Sequence, residues 1–180
     1  MSKTSFTTRK DAGPVSAGDP DLGAGTPVRA GSGHCLCGAV RFTLDEVPQE
    51  MEACHCADCR RMTGGAPLLS ISVLCNGLHF NEDAPIGVYR SSDWAERGFC
   101  RKCGSTLFFR MRGSERVGLS PGLLDDMNGI ALTSEMFFED QPDGYCLSSV
   151  PRRITKTEAH AMLEAFLARQ TEANPGEEAQ

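Results

Sequence analysis

Three cysteines and a histidine lie within six consecutive positions, in the stretch "CHCADC" that contains Cys54, His55, Cys56 and Cys59. Thiolate and imidazole groups are ligands that zinc prefers in proteins. Residues i and i+2 of an extended segment point to the same side, so Cys54 and Cys56 can converge on one ion. A turn over the next three residues can bring in Cys59. The stretch is therefore a candidate metal site.

The nine cysteines of the chain are distributed unevenly. Seven of them form three tight groups, namely Cys35 with Cys37, Cys54 with Cys56 and Cys59, and Cys100 with Cys103. Cys75 and Cys146 stand apart. We find no secretory signal and no apolar stretch long enough to span a membrane, so we expect a cytoplasmic protein. In that reducing compartment, clustered cysteines indicate metal ligands or catalytic groups rather than disulfides.

Seven clustered thiols divide into four and three, because a closed zinc site takes four tetrahedral ligands. Cys37 and Cys103 are each followed by glycine, whereas Cys59 is followed by Arg60. A glycine at that position permits a tight or left-handed turn whose backbone N–H groups can face the sulfurs. We therefore expect the two glycine-flanked groups to form one structural zinc site, with the ligands Cys35, Cys37, Cys100 and Cys103. An alternative zinc ribbon would pair "CADC" with "CRKC" and leave three clustered cysteines unexplained.

The remaining trio, Cys54, Cys56 and Cys59, leaves the fourth position of a tetrahedral zinc ion open. Three protein ligands with one open position are typical of catalytic zinc, so we expect these cysteines to be both ligands and catalytic groups. His55, or a residue from elsewhere such as His79, could instead close the site. Adjacent residues rarely bind one ion with good geometry, which favours a supporting or substrate-contacting role for His55.

Two arginines, Arg60 and Arg61, directly follow the trio. A guanidinium can bind a carboxylate through two parallel hydrogen bonds, so either residue could hold an acidic group of a small substrate. With His55 they form our predicted substrate-binding set. Solvated surface charge is the alternative interpretation of the two arginines. Trp94 lies in a loop-like stretch, where it could line a pocket or pack against the core.

Short strands are expected to position these side chains. The stretch "AVRFTL" places Val40, Phe42 and Leu44 on one face, with the period of a half-buried strand. Further strands are predicted at residues 68–74, 87–90, 105–111, 115–120 and 130–138, with Gly, Pro and Asn-Gly turn signals between them. Many short strands at this spacing indicate antiparallel sheets rather than βαβ units.

One helix is predicted near the C-terminus. Thr155 and Glu158 form a capping-box pattern at its start. An apolar stripe with helical spacing follows, made of Ala159, Met162, Leu163, Phe166 and Leu167. We expect this stripe to pack on the core.

The length of 180 residues suits one domain. Residues 1–32 are rich in Gly, Pro, Ser and Thr and predict a disordered tail, residues 33–170 the zinc domain, and residues 171–180 a second disordered tail. The formal net charge of -6 provides no general attraction to nucleic acid or to an anionic membrane, so we expect neither as a partner. The oligomeric state is not indicated by the sequence.

The motifs "GHCLCGAVRF", "CHCADCRRMTGGA", "ERGFCRKCGSTLFF" and "LLDD" follow one another along the chain. In this order they resemble the glutathione-dependent formaldehyde-activating enzyme (GFA) family, which also includes centromere protein V. The resemblance covers roughly residues 32–150 and is specific, because seven cysteines, their spacings and their flanking residues fit together. After residue 120 the chain lacks the histidine and the Pro-Trp pair often seen in relatives.

This resemblance implies a mainly β, Mss4-like fold (the β-tent) of zinc-stapled antiparallel sheets, here followed by the C-terminal helix. It implies two zinc ions per chain, a structural one at the four-cysteine set and a catalytic one at the trio. The implied activity is that of a carbon–sulfur lyase of the S-hydroxymethylglutathione synthase type. Such an enzyme adds a small thiol, glutathione or a similar molecule, reversibly to formaldehyde or a similar aldehyde, so a thiol and an aldehyde are the expected partners.

Two other functions fit parts of the sequence. A non-catalytic zinc-binding module for protein interactions would need only the four-cysteine site and would make the trio superfluous. A methionine sulfoxide reductase would be expected to have two CxxC pairs and a separate reactive cysteine. Here the first pair is C-x-C, and Cys146 has no evident activating context. The enzyme hypothesis accounts for more of the cysteines than either alternative.

Overall fold

Residues 29–147 and 150–173 are described in a computed structural model of the chain. The predicted disordered tails therefore lie mostly outside the described residues. Where the ranges do overlap, regular structure extends slightly beyond residues 33–170, because the first strand includes Gly31 and the last helix continues to Ala173.

Eleven strands and two helices are present in the described part of the chain. The strands are β1 (Gly31–His34), β2 (Arg41–Leu44), β3 (Glu50–Cys54), β4 (Leu68–Leu74), β5 (Leu78–Phe80), β6 (Ile86–Arg90), β7 (Ala95–Cys100), β8 (Thr106–Met111), β9 (Arg116–Leu119), β10 (Ala131–Met136) and β11 (Arg152–Ile154). The helices are α1 (Ala57–Thr63) and α2 (Lys156–Ala173). The prediction of a mainly β fold with a C-terminal helix is confirmed.

The strands form two sheets. One has three strands in the order β1-β2-β5, and the other has eight in the order β11-β10-β3-β4-β9-β8-β7-β6. Most pairings are antiparallel, as expected, but β10 pairs in parallel with both β3 and β11. Parallel neighbours need long connections, and the strands β4 to β9 lie between β3 and β10 along the chain. The pairing of β10 with β3 places β10 and β11 beside the segment that carries the trio.

The core includes the face of β2 that the alternation predicted. Val40, Phe42 and Leu44 are all buried, and they belong to one apolar cluster with residues of β4, β8 and β9. Cys35 and Cys100 belong to the same cluster. Two cysteines of the four-cysteine set are therefore built into the main core, while Cys103 packs against it and Cys37 is exposed.

The two strands that end in a cysteine ligand, β3 with Cys54 and β7 with Cys100, were not predicted. The strand β3 has the sequence "EMEAC", in which Glu50 and Glu52 alternate with Met51 and Ala53 over only five residues, too short a stretch to identify a strand. The strand β7, "AERGFC", is irregular because its pairing with β8 shifts register between Gly98 and Phe99. Both strands are recognisable only from their pairing partners, since their own side-chain patterns are mixed.

The helix α2 begins with the predicted capping box. The Glu158 carboxylate accepts a hydrogen bond from the Thr155 backbone N–H at 2.8 Å, and the Glu158 N–H donates to the Thr155 hydroxyl at 3.1 Å. The apolar stripe is less covered than we expected. Ala159 is buried, but Met162 is 49% exposed. Only the first turn of the helix is thus firmly packed on the domain.

Gly98 offers a test of the β7–β8 packing. The Phe108 ring lies over this glycine, so a Cβ added there would overlap the ring atoms, whereas nothing lies near a Cβ at Gly122. We expect Gly98→Ala to lower the free energy of unfolding by about 1–3 kcal/mol, because Phe108 is buried and cannot move aside. Gly122→Ala should change it by less than about 0.5 kcal/mol. Urea unfolding of both variants checks this, and equal midpoints would contradict the packing described.

Candidate functional site

The four-cysteine cluster joins two distant turns. Cys35 and Cys37 follow β1, while Cys100 ends β7 and Cys103 lies in the next turn. Their Sγ atoms all lie within 4.8 Å of one another. The Sγ atoms of Cys35 and Cys37 are 3.5 Å apart, and those of Cys37 and Cys100 are 3.9 Å apart. A tetrahedron with zinc–sulfur bonds of about 2.3 Å has edges of about 3.8 Å, so the cluster fits zinc.

Both turns use the glycines that the sequence singled out. Gly38 and Gly104 have positive φ values of 72° and 77°, in the left-handed region where a side chain would be strained. The Gly104 N–H donates to the Cys100 carbonyl at 2.9 Å, which closes the second turn. A backbone N–H also reaches a sulfur atom here, since that of Val40 lies 3.3 Å from Cys35 Sγ.

Hydrogen bonds also favour the thiolate form of two thiols in this cluster, Cys35 and Cys103. The hydroxyl and backbone N–H of Ser105 lower the pKa of the Cys103 thiol to about 5. Burial opposes ionisation of Cys35, but hydrogen bonds from the Val40 N–H and from neighbouring thiols outweigh it and lower the pKa of this thiol. Because a metal binds the thiolate, these contacts prepare the cluster for a cation.

The trio forms a second, separate cluster. Cys54 ends β3, Cys56 caps the N-terminus of α1 and Cys59 lies in the first turn of that helix. The three Sγ atoms lie within 4.8 Å of one another. Cys56 and Cys103 thus belong to different clusters, so the structure does not bring "CADC" and "CRKC" together, and the seven sulfurs lie in groups of four and three.

The thiols of the trio differ in pKa, because they form hydrogen bonds with one another. Hydrogen bonds from Cys54 and Cys59 lower the pKa of Cys56 to about 2. The same contacts raise the pKa of Cys54 far above its ordinary value, with burial adding to the effect. One thiolate held by two thiols is what a metal-free trio would contain, and a divalent cation would displace the remaining protons.

No fourth cysteine, histidine, aspartate or glutamate joins the trio among the residues that the structure describes. The two candidates for closing the site have other partners. His55 contacts Glu135 and Tyr145, and the exposed His79 lies 3.1 Å from Asp45. The trio thus has the donor set of an open zinc site.

His55 is fully buried and held from several sides. Its Nε2 donates to Glu135 Oε1 at 3.1 Å, and its Nδ1 shares a hydrogen bond with the Tyr145 hydroxyl at 2.8 Å. Its backbone N–H donates to the Met136 carbonyl, and its carbonyl accepts from Arg60 Nε, both at 3.0 Å. Substrate contact by His55 is at odds with this burial, so we retain only its supporting role, which is to hold the backbone between Cys54 and Cys56.

Glu135 connects His55 to the C-terminal strands. It is fully buried on β10, and its second oxygen accepts from Arg153 Nε of β11 at 3.0 Å. Sequence reasoning missed Glu135, Tyr145 and Arg153. No local signal marks them, because the parallel pairing of β10 with β3 and β11 brings Glu135 and Arg153 to this position, and Tyr145 comes from the connection between β10 and β11.

Sequence reasoning also missed Arg97, a buried cation beside the trio. This residue of β7 is only 5% exposed. Its Nη1 and Nη2 donate to Cys59 Sγ at 3.7 and 3.8 Å, and its guanidinium carbon lies 5.1 Å from the centre of the Phe109 ring. A charged donor at this position stabilises negative charge on the sulfur.

The two predicted arginines differ in position. Arg60 uses its Nε to fix the His55 carbonyl, whereas Arg61 has a side chain that is 78% exposed and lies 3.8 Å from Asp58.

Trp94 packs edge-on against Phe109, with ring centres 6.4 Å apart, in line with the packing interpretation. Cys75 is half-buried and Cys146 is exposed, and neither belongs to a cluster.

Comparison of the sequence with known proteins identifies its family. The family model described as glutathione-dependent formaldehyde-activating enzyme matches residues 30–140. A Schizosaccharomyces pombe protein named as an uncharacterized lyase is 30% identical over 114 residues, which cover 63% of this chain and 82% of that protein. A Halomonas elongata protein, provisionally named a glutathione-dependent formaldehyde-activating enzyme, is 28% identical over 120 residues, covering 62% of this chain and 76% of that protein. The chain belongs to the glutathione-dependent formaldehyde-activating enzyme family.

A solved structure also aligns with the chain. A crystal structure of a Rhodobacter sphaeroides protein has a TM-score of 0.47 and 25% sequence identity, covering 54% of this chain and 90% of that one. Within the described residues, no helix has the length and apolar character needed to cross a membrane.

The buried network around Glu135 gives a testable prediction. We expect Glu135→Ala to lower the free energy of unfolding by about 3 kcal/mol or more, because it leaves His55 Nε2 and the Arg153 guanidinium without their carboxylate. Glu164→Ala, at an exposed position of α2, should change it by less than about 0.5 kcal/mol. Urea denaturation measures both values, and a similar small loss in the two variants would show that the network does not stabilise the fold.

Proposed function

We propose that this protein is a zinc-dependent carbon–sulfur lyase that catalyses the reversible addition of a glutathione-like thiol to a formaldehyde-like aldehyde. The observation that carries the proposal is the trio, which brings three sulfurs together with no fourth ligand among the described residues. Membership of the glutathione-dependent formaldehyde-activating enzyme family supports the same chemistry. The reaction would be of the S-hydroxymethylglutathione synthase type.

The donor sets of both clusters fit zinc. The four-cysteine cluster would hold a structural ion, with all four positions filled by sulfur, and the trio would hold a catalytic one. A zinc ion at the trio supplies Lewis acidity at one open position, where a thiol loses its proton readily or an aldehyde oxygen is polarised.

The reaction itself needs little more than correct placement of the two reactants. The thiol sulfur forms a bond to the carbonyl carbon, and the thiol proton ends on the carbonyl oxygen, which becomes a hydroxyl. Holding both reactants at one site removes the entropic cost of their encounter. The reverse reaction breaks the same carbon–sulfur bond and releases aldehyde and thiol.

The residues around the trio would bind and orient the thiol. Arg61 exposes its guanidinium two positions after Cys59 and would bind a carboxylate of a glutathione-like substrate. Arg60 and His55 act on the protein rather than on the substrate, because they fix the backbone on which Cys54 and Cys56 lie. We therefore assign substrate binding to Arg61 first and a positioning role to His55.

The metal content follows from this proposal. Zinc-replete wild-type protein should contain two zinc ions per chain by elemental analysis. Replacing the whole trio with Cys54→Ser, Cys56→Ser and Cys59→Ser should remove one ion and leave a folded domain. Cys100→Ser should unfold the domain, because a structural zinc site contributes its binding free energy to folding.

The exposed residue Cys146 provides the control for loss of a thiol. Cys146→Ser should retain two ions per chain, since Cys146 belongs to neither cluster. A single zinc ion in the wild-type protein would contradict the assignment of two sites.

The activity can be tested by exchange NMR on glutathione and formaldehyde. Because the addition also proceeds without catalyst, the rate is informative and the equilibrium yield is not. We expect wild-type protein to accelerate the exchange, and Cys56→Ser to return it to the uncatalysed rate by disrupting the trio.

Cys146→Ser should accelerate the exchange as the wild type does. If wild type and Cys56→Ser give equal rates with several aldehydes and thiols, the enzyme proposal fails. A zinc-binding interaction module would then be the better description.

A further inference from the structure

Arg97 is a buried cation without a carboxylate partner in the part of the chain that the structure describes. Its two Nη groups instead donate to Cys59 Sγ, at 3.7 and 3.8 Å. Other arginines nearby are paired conventionally. Arg110 on the adjacent strand pairs with Glu96, and Arg153 pairs with Glu135. Arg97 thus differs from these two arginines in having a sulfur atom, rather than a carboxylate, as its hydrogen-bond partner.

A buried guanidinium is strongly unfavourable unless an anion offsets its charge. The Phe109 ring under Arg97 provides only the weaker attraction of a cation–π contact. Among the groups that contact the guanidinium in the described part of the chain, the sulfur cluster is the one that can carry a full negative charge. The position of Arg97 is therefore explained if the trio is anionic when the protein is in its working state.

A charge count shows what Arg97 changes. Three thiolates and one divalent cation carry a net charge of −1, which the Arg97 charge brings to zero. With Arg97 present, a neutral fourth ligand would leave the net charge of the site at zero. An anionic fourth ligand would bring the net charge to −1 with Arg97 and to −2 without it. Within the described residues, the four-cysteine cluster is contacted by neutral groups instead, namely the Val40 N–H at Cys35 and the Ser105 hydroxyl at Cys103.

We infer that Arg97 is a specificity-determining residue, which makes the open position of the trio accept an anionic sulfur ligand in preference to a neutral ligand. This inference rests on the proposed function, because it concerns the fourth position of the same site. Arg97 lies on β7, outside the cysteine motif, and it would select between anionic and neutral ligands. Arg97 acts through Cys59 and the local field rather than as a metal ligand.

Cobalt-loaded protein gives a direct readout, because sulfur binding to cobalt produces charge-transfer absorption. The full chain, loaded with two cobalt ions, is titrated with 2-mercaptoethanol, which can bind as an anionic thiolate. A second titration uses imidazole, which binds as a neutral ligand. Both probes lack carboxylates, so the result does not depend on Arg60 or Arg61.

We compare wild type with Arg97→Met, which removes the charge, and with Arg97→Lys, which keeps it. Arg97→Met should weaken 2-mercaptoethanol binding by about tenfold or more, the size expected for loss of one nearby charge at an effective dielectric constant of about 20. Imidazole binding should weaken by less than about threefold, because a neutral ligand adds no charge. Arg97→Lys should restore most of the preference for thiol.

Arg110→Met is the matched control. It removes an arginine from the next strand whose guanidinium pairs with Glu96 rather than with a cysteine of the trio. Both dissociation constants should stay within about threefold of the wild-type values. Arg97→Gln repeats the comparison with a neutral polar side chain if Arg97→Met does not retain two cobalt ions. Emission from Trp94, the single tryptophan, shows whether the surrounding packing is intact.

The possible outcomes separate this inference from the proposed function. Selective loss of thiol binding in Arg97→Met supports it. Equal weakening of both ligands, or of neither, overturns it and assigns Arg97 a structural role while the proposed function stands. If wild-type protein binds no thiol at the cobalt site, the proposed function fails and the inference fails with it.

Discussion

The convergence of seven cysteine sulfurs into two clusters is the constraint on which the rest of this structure depends. Sulfurs within 4.8 Å of one another repel once they are ionised, so each cluster needs positive charge or hydrogen-bond donors around it. Zinc would provide most of that charge. The protein contributes the remainder through backbone N–H groups, through Ser105 and through Arg97. The strands are arranged so that these groups meet the sulfurs.

The two clusters meet the constraint in different ways. The four-cysteine cluster joins positions 63 residues apart and is part of the main core, so metal binding there would be inseparable from folding. The trio comes from one segment of six residues, and it cannot close a long loop. Its position depends instead on the network behind it, in which His55 is held by Glu135 and Tyr145. An open site needs such support, because its geometry is not fixed by a fourth protein ligand.

Buried charge surrounds the trio on two sides. Arg97 from β7 faces Cys59, while Glu135 from β10 faces His55 and is itself paired with Arg153. Buried charges are unfavourable for stability unless they are paired, so their presence here suits a functional site better than a structural one. The Arg97 cation contacts a sulfur of the trio, whereas the Glu135 carboxylate contacts His55 and Arg153. This separation leaves the trio in contact with positive charge.

Local rules were sufficient for part of this protein. Cysteine spacing and the glycines after Cys37 and Cys103 predicted the three tight groups, because ligand convergence within a turn depends on neighbours only a few positions apart. The pairing of the two glycine-flanked groups followed from the four ligands that a closed zinc site takes. The alternation in β2 and the capping box of α2 are also local, and both were predicted. Only the tertiary structure decided the surroundings of the trio. Arg97 lies 38 positions from Cys59, and Glu135 and Tyr145 lie 80 and 90 positions from His55. Their approach depends on the order and register of strands such as β10 beside β3, which arise from packing across the whole sheet and leave no pattern in any single segment.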